Sequence, residues 1–505
     1  MTQHKIIDLN ELILLITDLR KNGMTIGLSH GVFDLVHPGH VQHFVAAKKL
    51  VDVLIVSITE DKYVNKGPGR PVFNQKIRLE TLAAFEPINF VVLSEHPTSE
   101  ELINIIKPNV YFKGSDYKIL QDDPTGKIEH EKKAVELNGG TIHFTNEMTS
   151  SSSKLLNQYF NTLPDETQSW IQNLRKTFSH QEIFEYLDRL QELEIILTGE
   201  VIIDQYTTVN PLAKSSKDPI LAFQRGKTET LAGGVLAIAN NCASWVKNVR
   251  VVSFVGTDDY HTSKLAPMLN SRIELDLVAF KDRPTVLKHR FVDENSKVRI
   301  FEYYDYADTA ISAKDEEELK KRFKSFEQHK MILVADYGHG LMTESLISYL
   351  ADMPNFLAVN TQANAGNRGF NTISKYKRAD FFTLNSGELK LELRQKNLNY
   401  LAVVPELMND LRSQSAIITL GGDGLISFDG RKNALTPALG FSVVDKVGAG
   451  DSVFAMGSLL SYLKAPLEVV GLICNIVASH EISQLGHRTS LEIGDIKKQV
   501  KSILS

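Results

Sequence analysis

Two short stretches of this sequence bring together residue types that handle phosphate. The first is Ser29-His-Gly-Val-Phe-Asp34-Leu-Val-His37-Pro-Gly-His40, in which two imidazoles stand three positions apart with Gly39 between them. Imidazole N–H groups donate to phosphate oxygens, and a glycine lets the backbone come close to a ligand. During nucleotidyl or phosphoryl transfer, charge builds on the oxygens around phosphorus, so fixed donors there stabilise the transition state more than the ground state. The second stretch is Asp445-Lys-Val-Gly448-Ala-Gly450-Asp451-Ser452, followed by the apolar run Val453 to Leu463. Its glycines permit a tight turn whose N–H groups converge on an anion at the start of a helix. At the mouth of that anion hole, Asp451 is placed to accept the proton of an attacking sugar hydroxyl.

Each stretch needs a strand behind it and a helix in front of it. Apolar runs at Met24–Ser29, Val53–Ile58, Phe90–Leu93, Val110–Lys113 and Thr141–Phe144 read as strands separated by helical patterns. This rhythm predicts a parallel sheet covered on both faces, with ligands at the carboxyl ends of the strands. The helix after the first strand is expected to begin near His40. Beyond the serine run at 150–153 the pattern turns helical, and Ser179 with Glu182 forms a capping-box signature. A second strand-rich block starts at Glu194 and continues the strand–helix alternation. The expected domains are therefore residues 1–158, a helical connector over 159–190, and residues 191–505.

The composition narrows the class. At 505 residues the chain exceeds what one core supports, while 43% apolar and 23% charged residues are ordinary for globular enzymes. A net charge of -5 argues against a general nucleic-acid grip. The two cysteines, Cys242 and Cys474, lie in apolar helical contexts and read as buried free thiols. Neither a signal peptide nor a membrane span is evident, so a cytoplasmic enzyme is expected. The charged run Lys314 to Lys324 reads as the solvated face of a helix.

The first stretch resembles the HxGH signature of the cytidylyltransferase-like nucleotidyltransferases, and the resemblance covers residues 24–157. Lys48 stands where that family has a basic residue, Gly67-Pro-Gly-Arg70-Pro71 resembles the loop after the second strand, and Arg78 opens the next helix. Lys113-Gly-Ser-Asp116-Tyr117 resembles a segment of the heptose-1-phosphate branch, and Ser151-Ser-Ser153 the Ser/Thr triplet that holds nucleotide phosphates. The resemblance implies a Rossmann-like domain in which His37, His40 and Lys48 serve catalysis. Ser29, Gly31, Phe33, Asp34, Arg78, Lys113, Gly114, Asp116, Ser151, Ser152 and Ser153 would line the nucleotide. The sugar phosphate is itself the nucleophile, so positioning, magnesium and electrostatics carry the reaction.

The second stretch resembles the GAGD signature of the ribokinase-like carbohydrate kinases, over residues 194–503. Gly199-Glu-Val-Ile-Ile-Asp204 is similar to the first-strand segment, Ala232-Gly233-Gly234 to the turn before the substrate-facing helix, and Asp336-Tyr-Gly-His-Gly340 to a segment of the heptose kinases. Asn385-Ser-Gly-Glu388 resembles the NxxE motif that organises magnesium, and Thr419-Leu-Gly-Gly-Asp-Gly424 the loop that borders ATP. The resemblance implies Asp451 as base and Asp204, Gly233, Gly234 and Asp336 at the sugar. It further implies Thr419, Gly421, Gly424, Gly448, Ala449 and Gly450 at the nucleotide, with Asn385 and Glu388 at the metal.

Together the halves resemble the bifunctional heptose kinase/adenylyltransferase family that makes the ADP-heptose precursor of lipopolysaccharide, in reversed domain order. Three local departures accompany the reversal. Asn360-Thr-Gln362 replaces an Asp-Pro-Lys, followed by the foreign loop Asn364-Ala-Gly-Asn-Arg-Gly369; Lys217 stands in place of a glutamate, and His339 in place of a lysine. The expected partners are small sugar phosphates and nucleoside triphosphates, ATP or CTP at the transferase, with Mg2+ and K+ as cofactors. No nucleic-acid or membrane partner is expected. The resemblance also implies a homodimer. A CTP-dependent transferase acting on another sugar or polyol phosphate, and a catalytically silent kinase-like module, are the alternatives.

Overall fold

The five N-terminal apolar runs form strands β1 Ile26–Gly31, β2 Val53–Thr59, β3 Phe90–Ser94, β4 Val110–Gly114 and β5 Thr141–Thr145. They pair in parallel in the order β3-β2-β1-β4-β5. Every residue of β2 is buried, as a central parallel strand requires. Alternating side chains feed two cores: Leu28, Ile55 and Tyr111 join Leu12 and Ile106 on one face, while Leu54, Val56 and Phe112 join Phe44 and Leu82 on the other. The chain runs outward from β1 to β3 and then crosses to β4. The carboxyl ends of β1 and β4 therefore flank the switch-point crevice where such sheets bind ligands.

This computed structural model describes residues 3–64, 70–114, 127–145, 163–215, 217–256, 262–324, 330–439, 443–445, 447–484 and 489–504. Gly67, Asp116 and Ser151 to Ser153 lie outside the described residues, so their expected roles have no structural account.

By compactness the chain divides into residues 1–175 with 494–505, and residues 176–493. The division differs from the pattern boundaries at both ends of the second block. Helix Asp165–Thr177 buries Ile171 and Leu174, whereas His180–Leu190 buries Ile183, Leu187 and Leu190 behind the Ser179/Glu182 capping box. Amphipathic helices of this kind carry no local mark of which core they join. The terminal helix Ile493–Leu504 falls almost wholly in the first unit, where Arg175 donates to the carbonyl of Ile503 from Nε at 3.2 Å and Nη2 at 2.7 Å.

The second unit begins with β6 Glu194–Gly199, then β7 Val201–Lys214, β8 Leu221–Gly234, β9 Asn248–Gly256, β10 Ile273–Phe280, β11 Val286–Asp293 and β12 Arg299–Asp305. It continues through β13 Met331–Asp336, β14 Phe356–Thr361, β15 Phe381–Asn385, β16 Ser415–Thr419, β17 Leu425–Phe428 and β18 Asn433–Thr436. Nine strands form one sheet in the order β10-β9-β6-β13-β14-β15-β16-β17-β18, parallel up to β16 and antiparallel beyond it. The other four form a separate sheet, β12-β11-β7-β8. The apolar helices Ala449–Tyr462 and Leu467–Ile482 cover the large sheet, and both cysteines are buried free thiols. Helix Ala313–Lys324 buries Leu319, Phe323 and, against the expectation of a wholly solvated charged face, Glu316, while Lys314, Glu317, Lys321 and Lys324 are exposed. Among the described residues no helix is long and apolar enough to cross a membrane.

Candidate active sites

In the first unit, β1 ends in a turn that delivers both histidines. His37 is the N-cap of helix Pro38–Lys48, which begins two residues before the expected His40, with Pro38 at the first helical position. His37 Nδ1 accepts the Gly39 N–H at 3.2 Å, and His40 Nδ1 accepts the His37 N–H at 3.3 Å. A ring that accepts at Nδ1 carries its neutral-state hydrogen on Nε2. The backbone thus fixes both imidazoles as Nε2 donors, with ring centroids 4.0 Å apart, at the N-terminus of a helix. Phe33, at φ 49°, sets its ring edge-on to His40 at 5.3 Å. At Gly31 a Cβ would stand 3.1 Å from the Phe33 ring, so glycine there makes room for it.

The other expected residues divide between crevice and scaffold. Ser29 is buried and bonds His43 Nε2 at 2.8 Å, while His43 Nδ1 meets Thr145 Oγ1 at 2.7 Å. Burial, with Lys113 nearby, pushes the His43 imidazole down to about 4. Asp34 accepts from the Phe73 N–H at 3.0 Å and pairs with Arg70 at 3.3 Å, anchoring the segment after β2. Lys113 and Gly114 close β4 at the crevice, but Lys113 pairs with buried Glu131 at 2.8 Å, which also bonds Tyr111 and Ser99. That pairing spends much of the charge expected for phosphate.

Two expectations need correction. Arg78 is 1% exposed and donates to the carbonyls of Val32, Thr59 and Phe73 and to Asp61, so it braces loops rather than meeting a nucleotide. Lys48 reaches the Asp52 carbonyl and Asn89 Oδ1, residues that precede β2 and β3. It therefore sits at the amino edge of the sheet, a helix length of about 16 Å from His37.

In the second unit, Gly448 at φ 91° caps helix Ala449–Tyr462, and Asp451 lies in its first turn behind Ala449 and Gly450. A Cβ on Gly448 would stand 2.8 Å from Glu481. Asp451 Oδ1 accepts from Tyr337 Oη at 3.2 Å and from Gln362 Nε2. Thr419 ends β16, and Gly421 and Gly424, at φ 64° and 95°, make the following turn at the same carboxyl edge as Asn385 on β15. Asn385 and Glu388 form a reciprocal cap, Glu388 also accepting the Ala363 N–H at 3.2 Å, and burial pushes the Glu388 carboxyl up to about 7. They tie two loops together rather than forming a cage. Among the described residues no group of three or more His, Cys, Asp or Glu is arranged to hold a metal. Asn385 and Glu388 carry oxygen donors of the type Mg2+ takes.

Asp204, on β7, is paired with Arg290. A Cβ on Gly233 would collide with the Asp204 carboxylate, and Gly234, at φ 57°, opens helix Val235–Ala243. Asp336 corrects its expected role: it is fully buried and bonds Gly338 N–H at 3.0 Å, Tyr376 Oη at 2.7 Å and Lys375 at 2.5 Å. The last residue of β13 points into the protein, and Tyr337 beyond it faces Asp451 instead.

Several site residues carry no motif. Glu200 is completely buried and accepts the N–H groups of Tyr337 and His339 at 3.0 and 2.9 Å; burial, then Asp336, raises its carboxyl. Strand register sets Lys288 beside Asp204 and Tyr304, and Arg290 beside Tyr206 and Glu302. Lys288 is 7% exposed, its ammonium 5.1 Å from the Tyr304 ring and 5.6 Å from the Tyr337 ring. Burial lowers its pKa. The Lys-x-Arg spacing within an apolar strand was the available signal, since it puts two cations on one face.

Residues 193–493 match the family model described as pfkB family carbohydrate kinase, a span of more than half the chain that includes Asp204, Lys288 and Asp451. The chain belongs to the pfkB family of carbohydrate kinases. Ahead of this pfkB segment, residues 28–158 match the cytidylyltransferase-like model. The chain is similar to the bifunctional protein HldE of Nitratiruptor sp., 43% identical over 119 residues, which cover 23% of this chain and 26% of that protein. It is also similar to the HldE of Methylobacillus flagellatus, 39% identical over 127 residues, 25% of this chain and 26% of that one. The aligned stretch thus spans about a quarter of the length of these relatives. Crystal structures of phosphofructokinase-2 from Escherichia coli share the pfkB fold. One, in complex with substrates and products, has a TM-score of 0.50 at 14% identity, covering 61% of this chain and 98% of that chain. Another, in complex with potassium, has a TM-score of 0.50 at 17% identity over 62% and 99%.

Proposed function

We propose that this pfkB-family chain activates a sugar in two reactions. The kinase unit moves the γ-phosphoryl group of ATP to the anomeric hydroxyl of a sugar phosphate, heptose 7-phosphate being the favoured acceptor. The transferase unit joins a sugar 1-phosphate to a nucleoside triphosphate with release of pyrophosphate, giving ADP-heptose. In the heptose route a phosphatase acts between the two steps, so fusion favours co-localisation over direct transfer.

The observation that carries this reading is the pairing, in one chain, of two Nε2-directed imidazoles at a switch-point crevice with a carboxylate at a glycine-capped helix start. An acceptor bearing its own phosphate is favoured by Lys288, a buried ammonium held by aromatic rings between Asp204 and the Tyr337–Asp451 pair. Mg2+ would arrive with the nucleotide and neutralise its phosphates, with Glu388 and Asn385 shaping the loops around it; K+ is proposed from the potassium-bound neighbour. Exposed Leu212, Leu221 and Phe301 on the four-stranded sheet, with Ile220 and Val298 next to its strands, support a homodimer through that sheet. The compartment proposed is the cytoplasm, where these substrates occur.

Mass spectrometry of products formed from mixed ATP and CTP with a panel of sugar phosphates tests both halves. ATP-dependent phosphorylation of heptose 7-phosphate and formation of ADP-heptose are expected. A CDP-linked product would transfer the second half to CTP chemistry, and an unphosphorylated panel would leave the kinase unit a binding module.

A further inference from the structure

The loop that follows β14 is unaccounted for by either reaction, and its side chains converge on the surroundings of Asp451. Two donors meet on one oxygen of that carboxylate: Tyr337 Oη at 3.2 Å and Gln362 Nε2. Tyr337 and Gln362 come from different strand ends, β13 and β14, and their backbones are gripped by three asparagine amides. Asn364 Nδ2 donates to the Tyr337 carbonyl at 2.7 Å. Asn367 Nδ2 donates to the same carbonyl at 2.6 Å and to that of Gln362 at 3.3 Å. Asn371 Nδ2 bridges the carbonyls of Asp336 at 2.9 Å and Gln362 at 3.2 Å. The loop is braced internally, since Asn367 Oδ1 accepts the Asn364 N–H at 2.8 Å and Lys375 donates to Asn371 Oδ1 at 2.6 Å.

The surroundings are shaped for this grip. Gly338 sits at φ 70°, and a Cβ there would collide with Asn367 Nδ2 and stand 2.9 Å from Asn371 Cγ. Asn367 and Asn371 are each 8% exposed, so their amides are committed to the carbonyls and not to solvent. A glutamine side chain has three torsions, and fixing it costs rotamer entropy. Anchoring its backbone restricts where its amide can reach, and the partner it meets is Asp451.

We propose that Gln362 and the Asn364–Asn371 loop are a positioning device that, with Tyr337, orients Asp451 toward the acceptor hydroxyl. This rests on the kinase reading above. Gln362, Asn367 and Asn371 touch no reacting atom; they act through the carboxylate. Lys288 and Glu388 also face Asp451, and neither is held by the loop asparagines.

Steady-state kinetics with ATP and the accepted sugar phosphate test the device. Gln362→Leu is expected to lower kcat about 10- to 100-fold, the range for outer-shell groups that orient an active group, with both KM values within about threefold of wild type. Asn371→Ala and Asn367→Ala should lower kcat in the same way by smaller factors. Gln362→Lys keeps a donor of similar reach and should restore most of kcat. A crystal structure of Gln362→Leu reads the same point without turnover, and Asp451 should leave its wild-type rotamer. An unchanged kcat, a loss confined to KM, or an unmoved Asp451 carboxylate in that structure overturns the proposal. Absence of kinase activity in the wild type instead removes the functional reading, while the rotamer comparison still decides the positioning role.

Discussion

His37 and His40 hold each other's orientation: the backbone N–H of His37 binds His40 Nδ1, while His37 Nδ1 takes the N–H of the intervening Gly39. The two rings are consequently oriented before any phosphate arrives, the condition under which donors act on a transition state at little reorganisation cost.

His40→Ala should therefore lower nucleotidyl transfer by on the order of 10² or more, as loss of one preorganised oxyanion donor does. Thermal unfolding of the variant should match wild type within a few degrees. A variant that retains transfer, or one that loses it only by unfolding, removes the assigned role.

Asp451→Asn keeps the shape and the donors of Tyr337 and Gln362 but cannot accept a proton. Sugar phosphorylation should fall by about 10² to 10⁴, the usual contribution of a general base, with ATP binding retained. Isothermal titration beside a coupled kinase assay separates the two effects, and undiminished turnover would exclude Asp451 as the base.

Lys288→Met preserves the side-chain length and its packing on Tyr304 and Tyr337 while removing the charge. Charge-assisted hydrogen bonds contribute roughly 1.5–3 kcal/mol, so KM for a phosphorylated acceptor should rise about 10- to 100-fold. The corresponding unphosphorylated sugar should be affected far less. Equal losses for both acceptors would assign Lys288 to the transferred group rather than to the acceptor.

His43 gives the first unit an acid-labile element. It is 6% exposed, and burial with Lys113 nearby moves its imidazole from 6.5 to about 4. The unfolded chain binds the proton first, so its contribution is fully present above 6.5 and is lost as pH falls through the window down to about 4. The loss is on the order of 3 kcal/mol. Denaturant titrations at pH 7.5 and 5 should show part of it, and His43→Gln should reduce the difference while leaving the share of His30, which burial likewise lowers to about 4; an undiminished difference in the variant would exclude His43 as a source.

Much of this protein was legible along the chain. Strands announced themselves as apolar runs between turns, and the His37/His40 and Gly448–Asp451 stretches were visible because phosphate chemistry needs donors, glycines and a helix start within a few residues. What adjacency does not encode, only the tertiary structure decided. Arg78 and Lys48 look alike in sequence as cations near a phosphate motif, yet one is buried among carbonyls and the other faces the opposite sheet edge. Lys288, Tyr337, Gln362 and Asp451 are separated by tens of residues and come from different elements: Tyr337 and Gln362 follow the carboxyl ends of parallel strands β13 and β14, Asp451 lies at a helix start, and Lys288 belongs to the four-stranded sheet. The same holds for the terminal helix, whose apolar stripe fits any core of suitable shape and which settles on the first unit, far from it in sequence. Local spacing specifies which chemistry a segment can perform, whereas burial, register and charge pairing depend on neighbours distant in the chain.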